Sequence, residues 1–316
     1  ILEMTAVVLF AYVLVKKKWL SLRLHGLMSK TVLYVCLPLL LFAKLAGATD
    51  LLTRYPRWYL LPLSAWIIYA AGALLGLAVA MLVLRKRQER TVCAIMSGFH
   101  NAGYLPLVIM VEVFGEAPHL DVLVMIYVIG SATMLWTVSP AALGEGGLRW
   151  ANLRKVINPP IVAVLCGLGA MLLGLGDRLE TIPVGRWNLS LVLLTPMALI
   201  GQCAIPLILM VLGGILAQLP SAAWKNRRFV TAVVLSKLVV LPTVGLLVIP
   251  RLGLDPHLAI VLMVATMTPP ALNLTVQARE FGDETTRELV GEGLLFTYLV
   301  SVITLTIFLT IVKIMG

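Results

Sequence analysis

The chain has 316 residues, of which 60% are hydrophobic and 13% charged, with a net charge of +10 and four cysteines. A soluble domain of this size carries about a quarter charged residues, so a water-soluble globule is excluded. The basic excess is spread over the loops between apolar blocks, which argues against nucleic acid as a partner.

The apolar residues run in blocks of about twenty, the length that crosses ~30 Å of hydrocarbon at ~1.5 Å per residue. In chain order they predict ten transmembrane helices, near 1–15, 31–47, 58–84, 91–114, 120–143, 160–176, 189–218, 229–249, 256–278 and 289–314. The first is short and the sequence opens on Ile1 without a Met, so a few residues are expected to precede it. Lys16, Lys17 and Lys18 follow the first apolar stretch instead of preceding it, the wrong order for a cleaved signal peptide.

Span two holds Pro38 and, late in its course, Lys44, whose ammonium is close enough to the boundary to snorkel out. Span four contains Gly98-Phe99-His100-Asn101-Ala102-Gly103-Tyr104-Leu105-Pro106. Pro106 lacks an amide N–H and clashes with the carbonyl four residues back, while His100 and Asn101 put polar groups at membrane depth. Span eight buries Lys237 about ten residues deep, at a cost of at least ~2.5 kcal/mol near the bilayer centre unless a partner or cavity receives it. Span nine contains Thr268-Pro269-Pro270-Ala271-Leu272-Asn273 followed by Gln277, and its adjacent prolines free the carbonyls of Ala265 and Thr266. Unpaired backbone in hydrocarbon costs several kcal/mol per group, so two helices broken at mid-membrane imply a polar cavity. The half-helix after each break offers free N–H groups and a positive dipole end to an anion. A lone proline such as Pro62, Pro196, Pro206 or Pro242 reads as a simple kink. The cysteines, Cys36, Cys93, Cys166 and Cys203, have no metal-ligand spacing and read as small buried residues.

The loops alternate in charge. The odd-numbered ones hold seventeen Lys and Arg and the even-numbered ones five, which places odd loops in the cytoplasm and both termini outside. A polar, Gly-rich stretch at 144–158 divides the chain into residues 1–143 and 159–316, with five spans each. An odd number per half means that a duplicated unit would sit inverted, as in many secondary transporters. Cys36-Leu37-Pro38 against Cys203-Ala204-Ile205-Pro206, and Glu112-Val113-Phe114-Gly115 against Glu280-Phe281-Gly282, support duplication.

Four passages carry a resemblance to a known family: Leu27 to Phe42, Asn101-Ala102-Gly103-Tyr104-Leu105-Pro106-Leu107, Asn158-Pro159-Pro160-Ile161, and Pro269 through Ala278-Arg279-Glu280-Phe281. In these the chain resembles the auxin efflux carrier family, the bacterial carboxylate carriers related to plant PIN-type auxin exporters. The resemblance implies an all-α membrane fold of two inverted five-helix repeats, like that of the bile acid symporters, with spans four and nine crossing at the substrate site. It also implies a dimerising scaffold of spans one, two, six and seven and a moving unit of the other six. Carried over, Asn101, Pro106 and Pro269 fall on the crossing. The plant exporters have their second proline nearer Leu274, so the unwinding point of span nine is open.

The expected activity is secondary transport of a small organic anion, a carboxylate, by an elevator-type shift in a bacterial inner membrane, with both termini periplasmic. The expected substrate residues are Asn101, Tyr104, Pro106, Pro269, Pro270, Asn273, Gln277 and Lys237, with His100 and Lys44 as candidates for coupling to protons or charge. Alternatives are a sodium-coupled symporter of bile-acid-like anions and a ligand sensor without flux. The expected partners are the organic anion, a coupling H⁺ or Na⁺, lipid and a second copy of the chain; no cofactor is expected. No Walker loop, zinc-protease helix or nucleophile elbow is present in the sequence, which disfavours an ATP-driven pump or a hydrolase.

Overall fold

The computed structural model describes residues 2–48, 50–115, 117, 119–143, 157–218 and 225–315. The expected boundary between halves at 144–158 lies almost wholly outside them, as do Trp150 and Trp224. Among the described residues thirteen helices are formed: α1 (Leu2–Lys16), α2 (Leu22–Ala46), α3 (Leu60–Val83), α4 (Arg87–Gly98), α5 (Tyr104–Val113), α6 (Leu120–Leu143), α7 (Pro159–Leu172), α8 (Leu175–Thr181), α9 (Leu189–Gln218), α10 (Arg227–Leu252), α11 (Pro256–Met267), α12 (Asn273–Phe281) and α13 (Glu284–Met315). A single turn at Leu51–Arg54 and a two-strand ribbon, Pro183–Val184 with Trp187–Asn188, complete the described elements.

Among the described residues six helices (α2, α3, α6, α9, α10 and α13) are long and apolar enough to cross a membrane, and α7 with α8 makes a seventh if that pair, bent by 65°, is one span. Their outward faces are apolar: Leu82 is 87% exposed, Ile314 80% and Leu173 73%. Water would penalise such a surface and lipid does not. The chain is an all-α, multi-pass membrane protein.

Local chemistry explains where helices begin and bend. Helix α2 starts nine residues before the expected position because Ser21 caps it, its hydroxyl accepting from Leu24 N–H at 3.2 Å. Its amphipathic first part, carrying Lys30, runs on through a wide π turn at Val32–Cys36 just before Pro38. Helix α10 repeats the device, with a π turn at Ser236–Val240 before Pro242. In both, the amide before the proline reaches back five residues, Leu37 to Val32 and Leu241 to Ser236. The widened turn makes room for a ring that cannot donate.

Two groups of helices pack internally. In one, α1 lies on the second half of α9, α7 on the second half of α2, and α9 on α2. Glycines allow the close approach: Gly167 against Leu45, Gly201 against Leu40 and Gly213 against the carbonyl of Val8. In the other, α3 packs on α4 and α6, and α10 on α3 and α13. Here Gly72 meets Ser97 and Gly98, and Gly245 meets Thr266, each just ahead of a break in the neighbouring helix. Of the cysteines, Cys36 and Cys93 are buried as expected, but Cys166 and Cys203 are exposed on the apolar surface. Glu292 is buried: its carboxylate accepts from the backbone of Lys225 and Asn226 and caps the approach to α10.

Candidate functional site at the crossing of two broken helices

The segments expected as spans four and nine each form two short helices, α4 with α5 and α11 with α12, separated by residues 99–103 and 268–272. The two unwound segments answer one another. Asn101 N–H donates to Pro269 O at 2.8 Å and Ala271 N–H donates to Phe99 O at 2.8 Å, an antiparallel bridge centred on His100 and Pro270. Two of the amides and two of the carbonyls in the breaks are thereby satisfied by the opposite segment.

The prolines explain the rest of the second break. Pro269 frees the carbonyl of Ala265, which accepts from Thr268 Oγ1 at 3.1 Å. Pro270 frees the carbonyl of Thr266, which accepts from Lys237 Nζ at 3.2 Å. Lys237 is wholly buried, so its ammonium stands at the negative end of the α11 dipole, where a cation is favoured. Helix α12 resumes at Asn273, so Leu274 is helical and the unwinding point lies wholly before it.

The first break is held by side chains. Asn101 Nδ2 donates to Tyr298 Oη at 3.0 Å, and Tyr298 Oη donates to Pro270 O at 3.2 Å. Tyr69 Oη donates to His100 O at 3.3 Å, and the His100 ring lies between Tyr69 and Tyr127. Gly98 O can only accept, so His100 Nδ1 donates to it at 3.3 Å and Nε2 faces Tyr127 Oη at 2.8 Å.

Two cavities of about 440 Å³ and 430 Å³ flank the crossing, and both are lined by Asn101, Tyr104, Leu272 and Asn273. His100 lines the larger alone. These are the expected residues that the fold brings to one place. Asn101 is nearly buried, whereas Tyr104 and Asn273, at the first positions of α5 and α12, are partly open. No side chain caps either helix start; at α12 the amides of Leu274 and Thr275 turn back to Ala271 O and Leu272 O at 3.1 and 3.0 Å, and at α5 the Leu107 amide donates to Gly103 O at 3.1 Å.

The other expected residues stand elsewhere. Pro106 sits in the first turn of α5, where a missing N–H costs nothing, and lines neither cavity. Pro269 and Pro270 shape the break by backbone without lining either cavity. Gln277 ties α12 to α6, its Nε2 donating to Leu135 O at 2.7 Å and its Oε1 accepting from Ser139. Lys44 pairs with Asp121 at 2.9 Å, joining α2 to α6. Residue-by-residue reading missed Tyr69, Tyr127 and Tyr298. The available signal was a tyrosine inside each apolar helix that follows a break, α6 after α5 and α13 after α12.

A model of the family described as membrane transport protein matches residues 1–142 and 148–309. The chain belongs to this family, the auxin efflux carriers. Similar proteins from Arabidopsis thaliana include Protein PIN-LIKES 7, 27% identical over 165 residues that cover 50% of this chain and 40% of the plant protein. Protein PIN-LIKES 1 is 29% identical over 137 residues, covering 42% and 28%. Protein PIN-LIKES 3 is 22% identical over 351 aligned positions, covering 90% and 87%. The matched part thus spans less than half the length of the first two relatives. The chain and these plant proteins are related, and the names of the plant proteins state no substrate.

Proposed function

We propose that the chain is a secondary transporter of a small organic anion, a carboxylate, bound at the crossing of the two broken helices. The observation that carries this reading is the pair of cavities meeting at Asn101, Tyr104 and Asn273, beside two helix N-termini. Amide groups and dipole ends of this kind suit a carboxylate and leave no fixed charge to trap it. Lys237 acts at one remove, by holding the end of α11. His100 is the candidate for proton coupling, because it lines the larger cavity and shares its ring with Tyr127.

The same reading takes the chain as ten spans in two inverted halves, residues 1–143 and 159–316. Reciprocal contacts support it: span one lies on span seven as span six lies on span two. Gly72 in span three and Gly245 in span eight each pack just ahead of the neighbouring break. Spans one, two, six and seven then form the scaffold and dimer contact, and the other six move as an elevator. Both cavities open toward helix ends that carry basic loops, near Asn158 for one and Lys30 and Arg279 for the other, which corresponds to a cytoplasm-facing state. The membrane is then a bacterial inner membrane with both termini periplasmic.

Purified protein in liposomes should take up labelled malate, and Asn101→Ala should abolish uptake while the protein stays folded. Normal uptake by that variant removes Asn101 from the site, and malate binding without flux turns the chain into a sensor. Repeating uptake with sodium or the pH gradient removed assigns the coupling ion.

A further inference from the structure

The two cavities at the crossing share four lining residues but differ in charge. Among the described residues, the larger is lined by no Asp, Glu, Lys or Arg. The smaller has Lys30 on α2 and Arg279 on α12 at its mouth, and no acid lines it among the described residues. Both cations are exposed. His25, deeper on the same wall, is engaged by the chain itself: its Nε2 lies 3.0 Å from Val211 O and its Nδ1 3.3 Å from Gln218 Nε2.

We propose that Lys30 and Arg279 form a capture site for the carboxylate of the transported anion, in series with the amides of Asn101 and Asn273. The proposal rests on the transport reading above and adds the route and the residues that select charge. A cleft walled by apolar helices focuses the field of two like charges and raises the local concentration of anions. Arg279 offers a planar fork that fits a carboxylate with two parallel bonds, and Lys30 offers a point charge opposite. The two cations also stand on different helix groups, Lys30 with α1, α7 and α9 and Arg279 with α3, α6 and α13. Bringing these groups together would press two positive charges into a shrinking gap, and a bound carboxylate offsets that repulsion. The mouth therefore favours closing with an anion inside over closing empty.

The first experiment needs no substrate. In the full chain in detergent, with the four native cysteines replaced by serine, Thr275→Cys places one thiol in this cavity. Its rate with an anionic methanethiosulfonate, divided by its rate with a cationic one, should exceed the ratio for a free thiol by about threefold or more. Lys30→Gln with Arg279→Gln should bring the ratio back to the free-thiol value, and Lys30→Arg with Arg279→Lys should keep it. A ratio unmoved by the Gln pair overturns the proposal. The second experiment is malate uptake in liposomes, where the Gln pair should raise KM about fivefold or more with kcat nearly unchanged. An unchanged KM likewise overturns it. Absence of malate uptake in the parent protein, with the thiol ratio as expected, counts against malate as cargo and leaves the anion-collecting mouth standing.

Discussion

The two breaks at the crossing solve one problem by different means. The break at 99–103 is rich in side-chain chemistry: His100 and Asn101 are held by three tyrosines from α3, α6 and α13. The break at 268–272 carries little polar side-chain chemistry of its own. Its prolines open the helix, and one threonine and one distant lysine satisfy the freed carbonyls. The first break thus offers recognition groups and the second a backbone frame. A binding site needs both, because an amide is selective only when its place is fixed.

This contrast can be broken by perturbing equivalent places in each half, beginning with the largest expected effect. A Cβ on Gly72 would stand 2.8 Å from Ser97 O and 2.9 Å from Gly98 Cα, so backbone must part. One on Gly245 meets the Thr266 side chain, nearest at 2.6 Å. Gly72→Ala should therefore lower stability by about 1–3 kcal/mol or more, and Gly245→Ala by less, as read from thermal unfolding in detergent. Equal losses would mean that the Thr266 side chain facing Gly245 yields as little as the backbone facing Gly72.

Tyrosine hydroxyls come next. Tyr298→Phe strips a partner from both Asn101 Nδ2 and Pro270 O, joining losses in the two breaks, and should cost about 1–3 kcal/mol and most of the flux. Tyr127→Phe deprives only His100 Nε2 and should cost about half as much, while altering the pH dependence of uptake if His100 couples protons. A larger effect at Tyr127 would shift the weight of the site toward His100.

Lys237→Met tests the frame of the second break. Burying the ammonium costs several kcal/mol, and its bond to Thr266 O with the helix end returns a similar amount. Stability should stay within about 2 kcal/mol of the parent, while uptake falls sharply. A large loss of stability with normal uptake would make Lys237 purely structural.

The smallest effect lies where the two halves meet at the membrane surface. Asp283, between α12 and α13, accepts from the Thr286 amide at 2.8 Å and from Gln88 Nε2 of α4 at 2.7 Å. The Thr286 hydroxyl and amide, with Gln88, hold its carboxyl below the usual range. A lowered value in the folded protein stabilises above the unfolded value of about 3.9 and is lost as pH falls through the folded one. Asp283 is mostly exposed, so Asp283→Asn should cost well under ~1 kcal/mol at neutral pH. The gap in melting temperature between variant and parent should close below about pH 4.

Reading the chain residue by residue located the apolar blocks, the alternation of basic loops and both breaks, since each is a local property. Hydrocarbon tolerates few charges and prolines cannot continue a helix wherever they stand. The family resemblance was legible for the same reason: its motifs are the residues that open the helices. Local reading placed Lys237 and Gln277 with the substrate, because a polar group at membrane depth announces that it needs a partner but not which one. Only the tertiary structure supplied the partners, Thr266 for Lys237 and Leu135 with Ser139 for Gln277. It alone paired Asn101 with Pro269 and Phe99 with Ala271, contacts between segments far apart in sequence that no periodicity encodes. It alone set two cavities of unlike charge on Asn101 and Asn273, because a shared wall is made by which helices pack, and packing is a property of the whole chain.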